Sequence, residues 1–461
     1  MSKGYVFLIP VMSVLWSACA SSPKESAPRA GSGGPSPSVS PNAAAQKPSS
    51  AETPGEKGYE AAYTYRTNLP DRLIQKLPPS IEAYRSSDSE EYIRQIAAYI
   101  TAHAAGDFDR VKKAHDWLAL NIAYLGPDSQ APNQSPEGVI AGGRAAGRGY
   151  AAVFKALCDA MSIPCVVIHG YARAAGSLLF DDENPSIPNH AWNKVRIHGD
   201  WYMVDTARDA GAFDGRNYEA SYSTDYLFLK PEHSVFTHFP ANPEDQLLPG
   251  PVSASAYVSL APLNARFFDT ITAISPEVRR INRVAGTLEL LLTPKGGSEV
   301  RVSMYDEKTM NEYTNVAFVQ KEGLAYKAYM SFPNPGNYRV QVSSRKRGEK
   351  TYTFCGAFGV IAAAGSAVRY PAQYGDFTQE ITLMSPLEMP LQKNKSYRFR
   401  IKSNTDYVAL VMDNRFMQLN PDQQGVFTLD TTIPSTVKEV TVVVGDARSR
   451  EYPAILKYEV W

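Results

Sequence analysis

The sequence of 461 residues has no excess of either charge, since 47 lysines and arginines are balanced by 47 aspartates and glutamates. A chain without net charge lacks the long-range field that attracts nucleic acid or an anionic membrane surface. Its 44% hydrophobic and 20% charged residues are those of an ordinary globular protein. We therefore expect folded domains with substantial cores and no nucleic-acid partner.

Cysteine is scarce, with four residues in the whole chain. One of them, Cys19, lies near the start, and the other three cannot all pair with one another, so no disulfide framework is expected. Cys158 and Cys165 could pair with each other, but both lie in apolar runs, where buried free thiols are more common. No spacing resembles a zinc site, and the sequence predicts neither a metal nor a cofactor.

The apolar stretch near the start, Tyr5 to Trp16, is too short to span a membrane. It follows Lys3 and precedes small residues, which is typical of an export signal over residues 1–19. Two processing routes remain open. Leu15 to Cys19 resembles a bacterial lipoprotein box that would make Cys19 the lipidated N-terminus, whereas Ala18-Cys19-Ala20 fits simple secretion. We expect a lipid-anchored protein of the bacterial cell envelope, with secretion as the alternative, because a flexible tether follows directly.

The length of the chain suggests about three domains after this segment. Residues 20–57 are dominated by Ala, Ser, Pro and Gly and are predicted to be a disordered linker. Residues 58–255 show three helical segments followed by alternating strands, which indicates an α+β domain. Short strands with turns then predict two β-sandwiches, over residues 256–365 and 366–461.

Hydrophobic spacing locates the main helices of the α+β domain. A helix from about residue 88, with Asp88 or Ser89 as its cap, buries one face of four apolar residues: Ile93, Ile96, Ala97 and Ile100. A second helix follows "GDFD", and a third runs from about Gly147 to Met161. The period then changes to two in "PCVVIHGYA", "HAWNKVRIH" and "DWYMVDTA", with a turn predicted at Gly199-Asp200.

One segment has the outline of a turn that positions a nucleophile, yet "GGRAAGRGYAAVF" at 142–154 contains no Cys, Ser or Thr. Further on, His190 begins one strand of a hairpin and Asp205 ends the other. The predicted turn does not place the two residues directly opposite, so their contact is plausible without being required by the register. Taken alone, each residue has an ordinary structural explanation.

The order of these pieces resembles the transglutaminase-like superfamily, and more closely its kyphoscoliosis peptidase and hillarin branch. The resemblance covers about residues 88–461. It rests on "DFDRVKKAHDWLALNIAY", "QSPEGVIAGGRAAGRGYAAVFKALCDAMSIPCVVIHGYA", "NHAWNKVRIHGDWYMVDTA" and "FLKPEHSVFTHFPANPEDQLL". It implies a papain-like core with a Cys-His-Asp triad, in which Gly147 matches the cysteine, His190 the base and Asp205 the residue that orients it.

No other side chain is expected to replace the missing cysteine. Cys158 lies 11 residues further along the same helix, about 16 Å away at about 1.5 Å per residue. Cys165 belongs to an apolar run that would raise its pKa. The phenol of Tyr150 is a poor acyl acceptor, and Ser135 lies in an upstream loop. Covalent catalysis by the family mechanism is therefore not expected.

The altered turn still has binding properties. Helix N–H groups around Gly147 and Gly149, with Arg148 beside them, favour anions or carbonyl groups. A glycine in place of cysteine is expected to enlarge the floor of a cleft that His190 and Trp192 also line, giving room for a peptide. The alternative is a vestigial cleft filled by neighbouring side chains.

Three functions follow. The sequence favours a pseudoenzyme that binds protein or peptide partners through the degenerate cleft. Alternatively, His190 and Asp205 activate water in a residual hydrolase. A third interpretation is a structural or adhesive surface protein that acts through its β-sandwiches.

Overall fold

The computed structural model describes residues 56–67, 69–126, 133–173, 177–213, 218–375, 377, 380–445 and 451–461. The predicted export signal at 1–19, with Cys19, lies outside the described residues, as does the predicted linker up to residue 55. A helix already begins at Glu56, so the last two residues of the predicted linker belong to a helix. None of the helices in the described ranges is long and apolar enough to cross a membrane.

Most of the helices belong to the α+β part. The helices are α1 (Glu56–Tyr63), α2 (Arg72–Gln75), α3 (Pro79–Glu82), α4 (Ser89–His103), α5 (Asp107–Asn121), α6 (Pro136–Gly142), α7 (Gly147–Ala160), α8 (Thr206–Ala210), α9 (Pro231–Ser234), α10 (Ala254–Ser259) and α11 (Ala265–Thr270). The longest are α4, α5 and α7. A 3₁₀ helix spans Pro243–Gln246. Asp88 caps α4 by accepting the N–H of Glu91, which satisfies one of the free donors of the first turn.

A five-stranded antiparallel sheet packs against α7. The strands of this part are β1 (Ala123–Tyr124), β2 (Arg144–Ala145), β3 (Cys165–Ala172), β4 (His190–Ile197), β5 (Asp200–Val204), β6 (Gly211–Phe213), β7 (Tyr218–Ala220), β8 (Leu227–Leu229) and β9 (His238–Pro240). The order in the sheet is β8-β5-β4-β3-β9. Apolar residues of α7 and of the sheet, including Phe154, Leu157 and Val195, share one buried core.

The turn between β4 and β5 differs from the prediction by one residue. Ile197 pairs with Asp200, so the two-residue turn is His198-Gly199 instead of Gly199-Asp200. Both turn residues have positive φ, +53° and +97°, as a type I′ hairpin turn requires. The sequence signal was ambiguous because a histidine takes the first left-handed position, which Asn, Asp or Gly more often occupies.

The rest of the chain forms two β-sandwiches, each with its own buried apolar core. The first contains β10 (Ile271–Ser275), β11 (Ile281–Val284), β12 (Thr287–Pro294), β13 (Glu299–Asp306), β14 (Glu312–Tyr313), β15 (Ala317–Glu322), β16 (Ala325–Ser331), β17 (Gly336–Arg345) and β18 (Thr353–Ala362). Its sheets have the orders β10-β12-β16-β15 and β11-β18-β17-β13-β14.

The second sandwich contains β19 (Ala372–Gln373), β20 (Thr382–Ser385), β21 (Ser396–Lys402), β22 (Tyr407–Met412), β23 (Arg415–Gln418), β24 (Asn420–Pro421), β25 (Val426–Thr432), β26 (Glu439–Gly445) and β27 (Ala454–Glu459). Its sheets have the orders β19-β27-β26-β22-β23 and β20-β21-β25-β24. The chain therefore has the expected α+β fold class, with a papain-like core followed by two sandwiches.

Candidate functional site

The site is built around the carboxylate of Asp205, which follows β5 and caps α8. His190, the first residue of β4, places its Nε2 2.8 Å from Asp205 Oδ2. The other carboxylate oxygen accepts the backbone N–H of Arg208 at 3.3 Å. With Asn193 opposite Val204, His190 lies diagonally across the strand pair from Asp205, on the same face of the sheet. The structure thus brings together the two residues whose contact the predicted register left open.

A second histidine, His238, also reaches this carboxylate and was not predicted. It begins β9, which pairs with β3, and its Nε2 lies 3.0 Å from Asp205 Oδ2. Gly170 lets β9 approach, because a Cβ at that position would lie 2.4 Å from the carbonyl oxygen of Phe239. The signal that could have found His238 is its place in "THFP", within the closing segment that carried the resemblance.

The charges of the cluster follow from burial and hydrogen bonding. Burial opposes ionisation of Asp205, but the charge and hydrogen bond of His190, together with the hydrogen bond of His238, hold the pKa of Asp205 well below its usual range. Burial lowers the pKa of His238 to about 4, although Asp205 opposes this shift. An ionised carboxylate only accepts, so both Nε2 atoms carry hydrogen, and Nδ1 of neutral His238 accepts from Thr237 Oγ1 at 2.9 Å.

Gly147, the first residue of α7, lies directly against the His190 ring. A Cβ at position 147 would be 2.2 Å from His190 Nδ1 and 2.4 Å from its Cε1, far inside van der Waals contact. The imidazole therefore occupies the space that any side chain at this position needs. The sequence predicted that glycine at 147 would enlarge the floor of the cleft, but there is no free space at this point. The alternative expectation, that a neighbouring side chain fills the gap, matches the structure here.

Gly149 is packed just as closely, for a different reason. Its missing Cβ would lie 2.4 Å from Gln134 Oε1 and 2.8 Å from both Ala145 Cβ and Val139 Cγ2. Gln134 Oε1 accepts the N–H of Ala146 at 2.8 Å. The side-chain amide of Gln134 thus provides a hydrogen-bond partner for the backbone of the residue that precedes α7. At this position glycine is required by the packing of the turn.

The remaining predicted binding residues take different positions. Arg148 is exposed at the start of α7. Trp192 is only 2% exposed, and its ring lies 4.9 Å from that of His238 and 6.2 Å from that of His190. Trp192 therefore supports the two histidines from within the core and offers little surface to a ligand.

The thiols and hydroxyls considered as replacement nucleophiles are occupied or buried. Cys158, Cys165 and Cys355 are free and buried, and burial, reinforced by Cys165, raises the pKa of Cys158 well above its usual value. Burial likewise raises the pKa of Tyr150, whose hydroxyl donates to the carbonyl of Ile122. Ser135 caps α6 by accepting the N–H of Gly138.

Within the described ranges, His190, Asp205 and His238 are the one group whose side chains could hold a metal ion. Their potential ligand atoms lie within 4.8 Å of one another. Two hydrogen bonds already satisfy these atoms, so an ion would have to displace the protons of both Nε2 atoms. The arrangement as it stands orients a histidine whose Nδ1 faces residue 147.

A second buried His–Asp network, also not predicted, lies between α5 and α8. His115 contacts Asp116 Oδ1 through Nδ1 at 3.1 Å and Asp209 Oδ2 through Nε2 at 3.0 Å. Although burial opposes it, hydrogen bonds to the two carboxylates raise the pKa of His115. Tyr222 donates to the same oxygen of Asp116, and Lys112 donates to the other, Oδ2. This network fixes α8, and hence its cap Asp205, against α5.

Comparison with known proteins finds a family model and several relatives. Residues 94–206 match the family model described as the transglutaminase-like superfamily. The chain is similar to mouse kyphoscoliosis peptidase, at 22% identity over 60% of this chain and 42% of that protein. It is also similar to the Caenorhabditis elegans Lim and transglutaminase domain protein ltd-1, at 24% identity over 52% and 38%. Drosophila melanogaster hillarin is 24% identical over 42% and 25%. The chain thus spans less than half the length of these relatives.

Solved structures show weaker overall likeness. A structure assigned as a cysteine protease from Cytophaga hutchinsonii is 23% identical and covers 30% of this chain and 46% of its own, with a TM-score of 0.21. The tandem Ig repeats of Dlar are 9% identical and cover 40% and 92%, with a TM-score of 0.13.

Proposed function

From the premise that this chain belongs to the transglutaminase-like superfamily, in its kyphoscoliosis peptidase and hillarin branch, we propose that it is a non-catalytic member. In this proposal the cleft beside His190 binds a protein or peptide partner and does not cut or cross-link it. Gly147 stands at the position of the nucleophile, so the chain retains the histidine and aspartate of a Cys-His-Asp triad without its sulfur.

The observation that carries the proposal is the contact between Gly147 and His190. With His190 Nδ1 2.2 Å from the ideal Cβ position, no side chain fits at residue 147 unless the imidazole moves. A nucleophile cannot be supplied from nearby either, because Cys158 and Tyr150 are buried and have raised pKa values. Loss of a triad nucleophile typically costs several orders of magnitude in rate.

A binding test compares two tryptophan substitutions in the full chain. Gly147→Trp displaces His190 and blocks the cleft, whereas Gly142→Trp is the matched control, since the nearest atom to its Cβ is 4.0 Å away. We expect peptides on an immobilised array to bind the wild type and Gly142→Trp, and to lose binding to Gly147→Trp. Equal binding by all three proteins would contradict a cleft-based function.

The proposal includes export and lipid anchoring through Cys19 to the bacterial cell envelope. It is supported by the apolar segment before Cys19 and by the Ala/Ser/Pro/Gly-rich residues that follow it. A flexible tether of n residues reaches about 5–6 Å × √n, some tens of ångströms. Mass spectrometry of the mature protein should find a lipid-modified Cys19, and an unmodified N-terminal Ser21 would indicate secretion instead.

A second candidate is a hydrolase in which His190 activates water. The hydrogen bond from His190 Nε2 to Asp205 at 2.8 Å favours it, because it leaves Nδ1, which faces residue 147, as the ring nitrogen that can take a proton from water. Such an enzyme would show hydrolysis with a pH dependence set by one histidine and abolished by His190→Ala. A screen of peptide and ester substrates without such activity would exclude it.

A further inference from the structure

Two of the buried thiols, those of Cys158 and Cys165, interact with each other in the core of the transglutaminase-like domain. Cys158 belongs to the last turn of α7, and Cys165 is the first residue of β3. Both residues are part of one buried core. A hydrogen bond between the two thiols adds to the effect of burial in raising the pKa of Cys158. The sequence left open whether these residues pair, and the structure brings their side chains together.

The connection between α7 and β3 turns the chain back immediately after Cys158. The N–H of Ile163 donates to the carbonyl of Cys158 at 2.9 Å, and the N–H of Ser162 donates to that of Asp159 at 3.0 Å. Ser162 has a positive φ of +59°. These are the two hydrogen bonds and the left-handed residue of a Schellman motif, which ends a helix sharply. Cys165 follows Ile163 by two residues, so its backbone stays close to the end of the helix, as a disulfide requires.

The side chain of Asn193 on β4 shows that the sulfur of Cys165 faces α7. Asn193 Nδ2 donates to the carbonyl of Ala151 in α7 at 3.0 Å, and it lies 3.5 Å from Cys165 Sγ. One amide group therefore contacts both the helix backbone and the sulfur. Cys165 Sγ thus lies between the sheet and the helix that carries Cys158.

A cation lies beside the pair of thiols. Lys155, one turn before Cys158 in α7, interacts electrostatically with both thiols. Its ammonium group also contacts the carboxylate of Asp159 at 2.7 Å. A nearby cation favours the thiolate, which is the form that attacks a disulfide. Lys155 therefore counteracts part of the effect of burial on the reactivity of the pair.

We infer that Cys158 and Cys165 form a disulfide with each other when the chain meets a disulfide oxidant such as oxidised glutathione. One protein thiolate attacks the oxidant, forms a mixed disulfide and releases one glutathione thiol. The second protein thiolate then attacks the mixed disulfide and releases the other. The two protein thiols lose two electrons and two protons, and the oxidant is reduced to two thiols.

The bond would join the end of α7, whose first residue is Gly147, to the sheet that carries His190. The inference goes beyond the proposed function of the cleft and does not depend on it. Disulfides persist in oxidising compartments, so the proposed export would bring the pair to an oxidant. Pairing itself is a property of the domain and is measured on the purified protein.

Peptide mapping of the purified full chain tests the pairing directly. Trypsin cleaves after Lys155 and Arg173, so both cysteines fall in one peptide, residues 156–173. One sample is incubated with oxidised glutathione, and a second is refolded from urea in the same buffer because the thiols are buried. Free thiols are then alkylated in denaturant, and the digest is analysed by mass spectrometry.

We expect the peptide from the refolded sample to be two hydrogen atoms lighter than the reduced peptide and to carry no alkyl group. The same result in the sample that was not refolded would show that the oxidant also reaches the folded protein, and would support the inference equally. Alkylation of Cys158 and Cys165 to the same extent as Cys355 in both samples would overturn it. A glutathione adduct without ring closure, or a bridge to Cys19, would also overturn it.

Two substitutions connect the bond to stability. Reduction with dithiothreitol should lower the unfolding temperature of the oxidised wild type by about 5 °C or more, because closing a loop restricts the unfolded chain. Cys355→Ala is the matched control and should keep this shift, since Cys355 lies in the first sandwich with its Sγ 3.0 Å from Ser344 Oγ. Cys165→Ala should show no shift. Equal shifts in Cys165→Ala and the wild type would contradict the assignment, and if Cys165→Ala does not fold, peptide mapping of the wild type decides.

Discussion

At the scale of single residues, Gly147 has no side chain, and the ring of His190 occupies the space where a Cβ atom would lie. The imidazole keeps its Nε2 on Asp205 while its Nδ1 edge fills the place of a side chain on α7. The histidine and the glycine are therefore adapted to each other in this fold. A residue of any other type at 147 has to displace the ring of His190 or move the start of α7 away from it.

This contact predicts the effect of one methyl group. Gly147→Ala should lower the free energy of unfolding by about 1–3 kcal/mol, the usual cost of overpacking a filled site, even though alanine favours helices. Gly142→Ala, where the nearest atom is 4.0 Å from the Cβ, should be neutral or stabilising. Urea denaturation of the two variants measures the difference, and equal stabilities would show that His190 moves aside freely.

Gly147→Cys tests whether a sulfur atom at this position gives the protein activity. The new Sγ cannot take the usual place of a nucleophile beside His190, because that space holds the imidazole. We expect the variant to show no peptidase or transamidase activity, or less than a ten-thousandth of that of an intact triad, in the range lost on removing a triad residue. Turnover by Gly147→Cys that requires His190 would show that the rest of the site is preorganised for catalysis.

A prediction about pH concerns His238, which is neutral in the folded protein because burial lowers its pKa to about 4. Its ordinary value is about 6.5, so the unfolded chain binds the proton first as the pH falls. The stability that neutral His238 contributes is complete above pH 6.5. It is lost progressively between about pH 6.5 and pH 4, by about 3 kcal/mol at most.

His238→Gln keeps an N–H donor near Asp205 and removes the group that binds a proton. The unfolding free energy of this variant should therefore fall less steeply between about pH 6.5 and pH 4. His233, whose pKa burial also lowers to about 4, contributes a similar slope, and the exposed His103 is the control for His→Gln exchange. Denaturant unfolding at pH 4.5, 5.5 and 6.5 tests this. A slope in His238→Gln equal to that of the wild type would contradict the neutral, buried state.

At the scale of elements, α8 is held by charges as much as by apolar contacts. Asp209 accepts from His115 Nε2 at 3.0 Å and from the backbone N–H of Tyr226 at 2.9 Å. Both side chains of the His115–Asp209 pair are fully buried. A helix of five residues has little stability of its own, so a network that holds Asp209 near its C-terminal end fixes the whole of α8, with Asp205 at its N-terminus.

Asp209→Asn should therefore lower the free energy of unfolding by about 3 kcal/mol or more, because breaking a buried ion pair leaves an uncompensated charge. The control is Asp107→Asn on α5, whose pair with Arg110 is partly exposed; such pairs contribute at most about 1 kcal/mol. Thermal and urea unfolding give both values. Similar losses for the two variants would mean that the buried network does not stabilise α8.

The elements also show what the sequence can and cannot predict. The apolar spacing and the cap at Asp88 predicted α4 because both depend on residues within one helix turn. The predicted β4–β5 turn lay one residue too far along the chain, because His198 adopts a left-handed conformation that its residue type disfavours. His238 and the His115 network depend on contacts across 33 and 94 residues of chain, and no local pattern encodes such distances.

At the scale of the whole molecule, the transglutaminase-like domain and the first sandwich share a buried ion network. Glu183 lies 2.9 Å from Arg173 of the domain and 3.8 Å from Arg280, which lies between β10 and β11. Glu307 of the sandwich accepts the N–H of Leu179. These contacts join the two domains through charged groups.

Glu183→Gln should separate the unfolding of the two domains. Both arginines would lose their buried partner, so we expect a lower melting temperature and two calorimetric transitions for this pair of domains, and a single transition for the wild type. Glu459→Gln is the control, because Glu459 pairs with the partly exposed Arg369 in the second sandwich. A single unshifted transition in Glu183→Gln would show that apolar contacts alone couple the domains.

The central proposal for this protein is that it has no working nucleophile. The measurement is turnover of fluorogenic peptides and incorporation of a labelled amine into casein by the purified full chain, compared with His190→Ala and with buffer. The structure, with His190 Nδ1 2.2 Å from the Cβ position of residue 147, predicts that all three give the same background rate. A rate above background in the wild type that disappears in His190→Ala would contradict it.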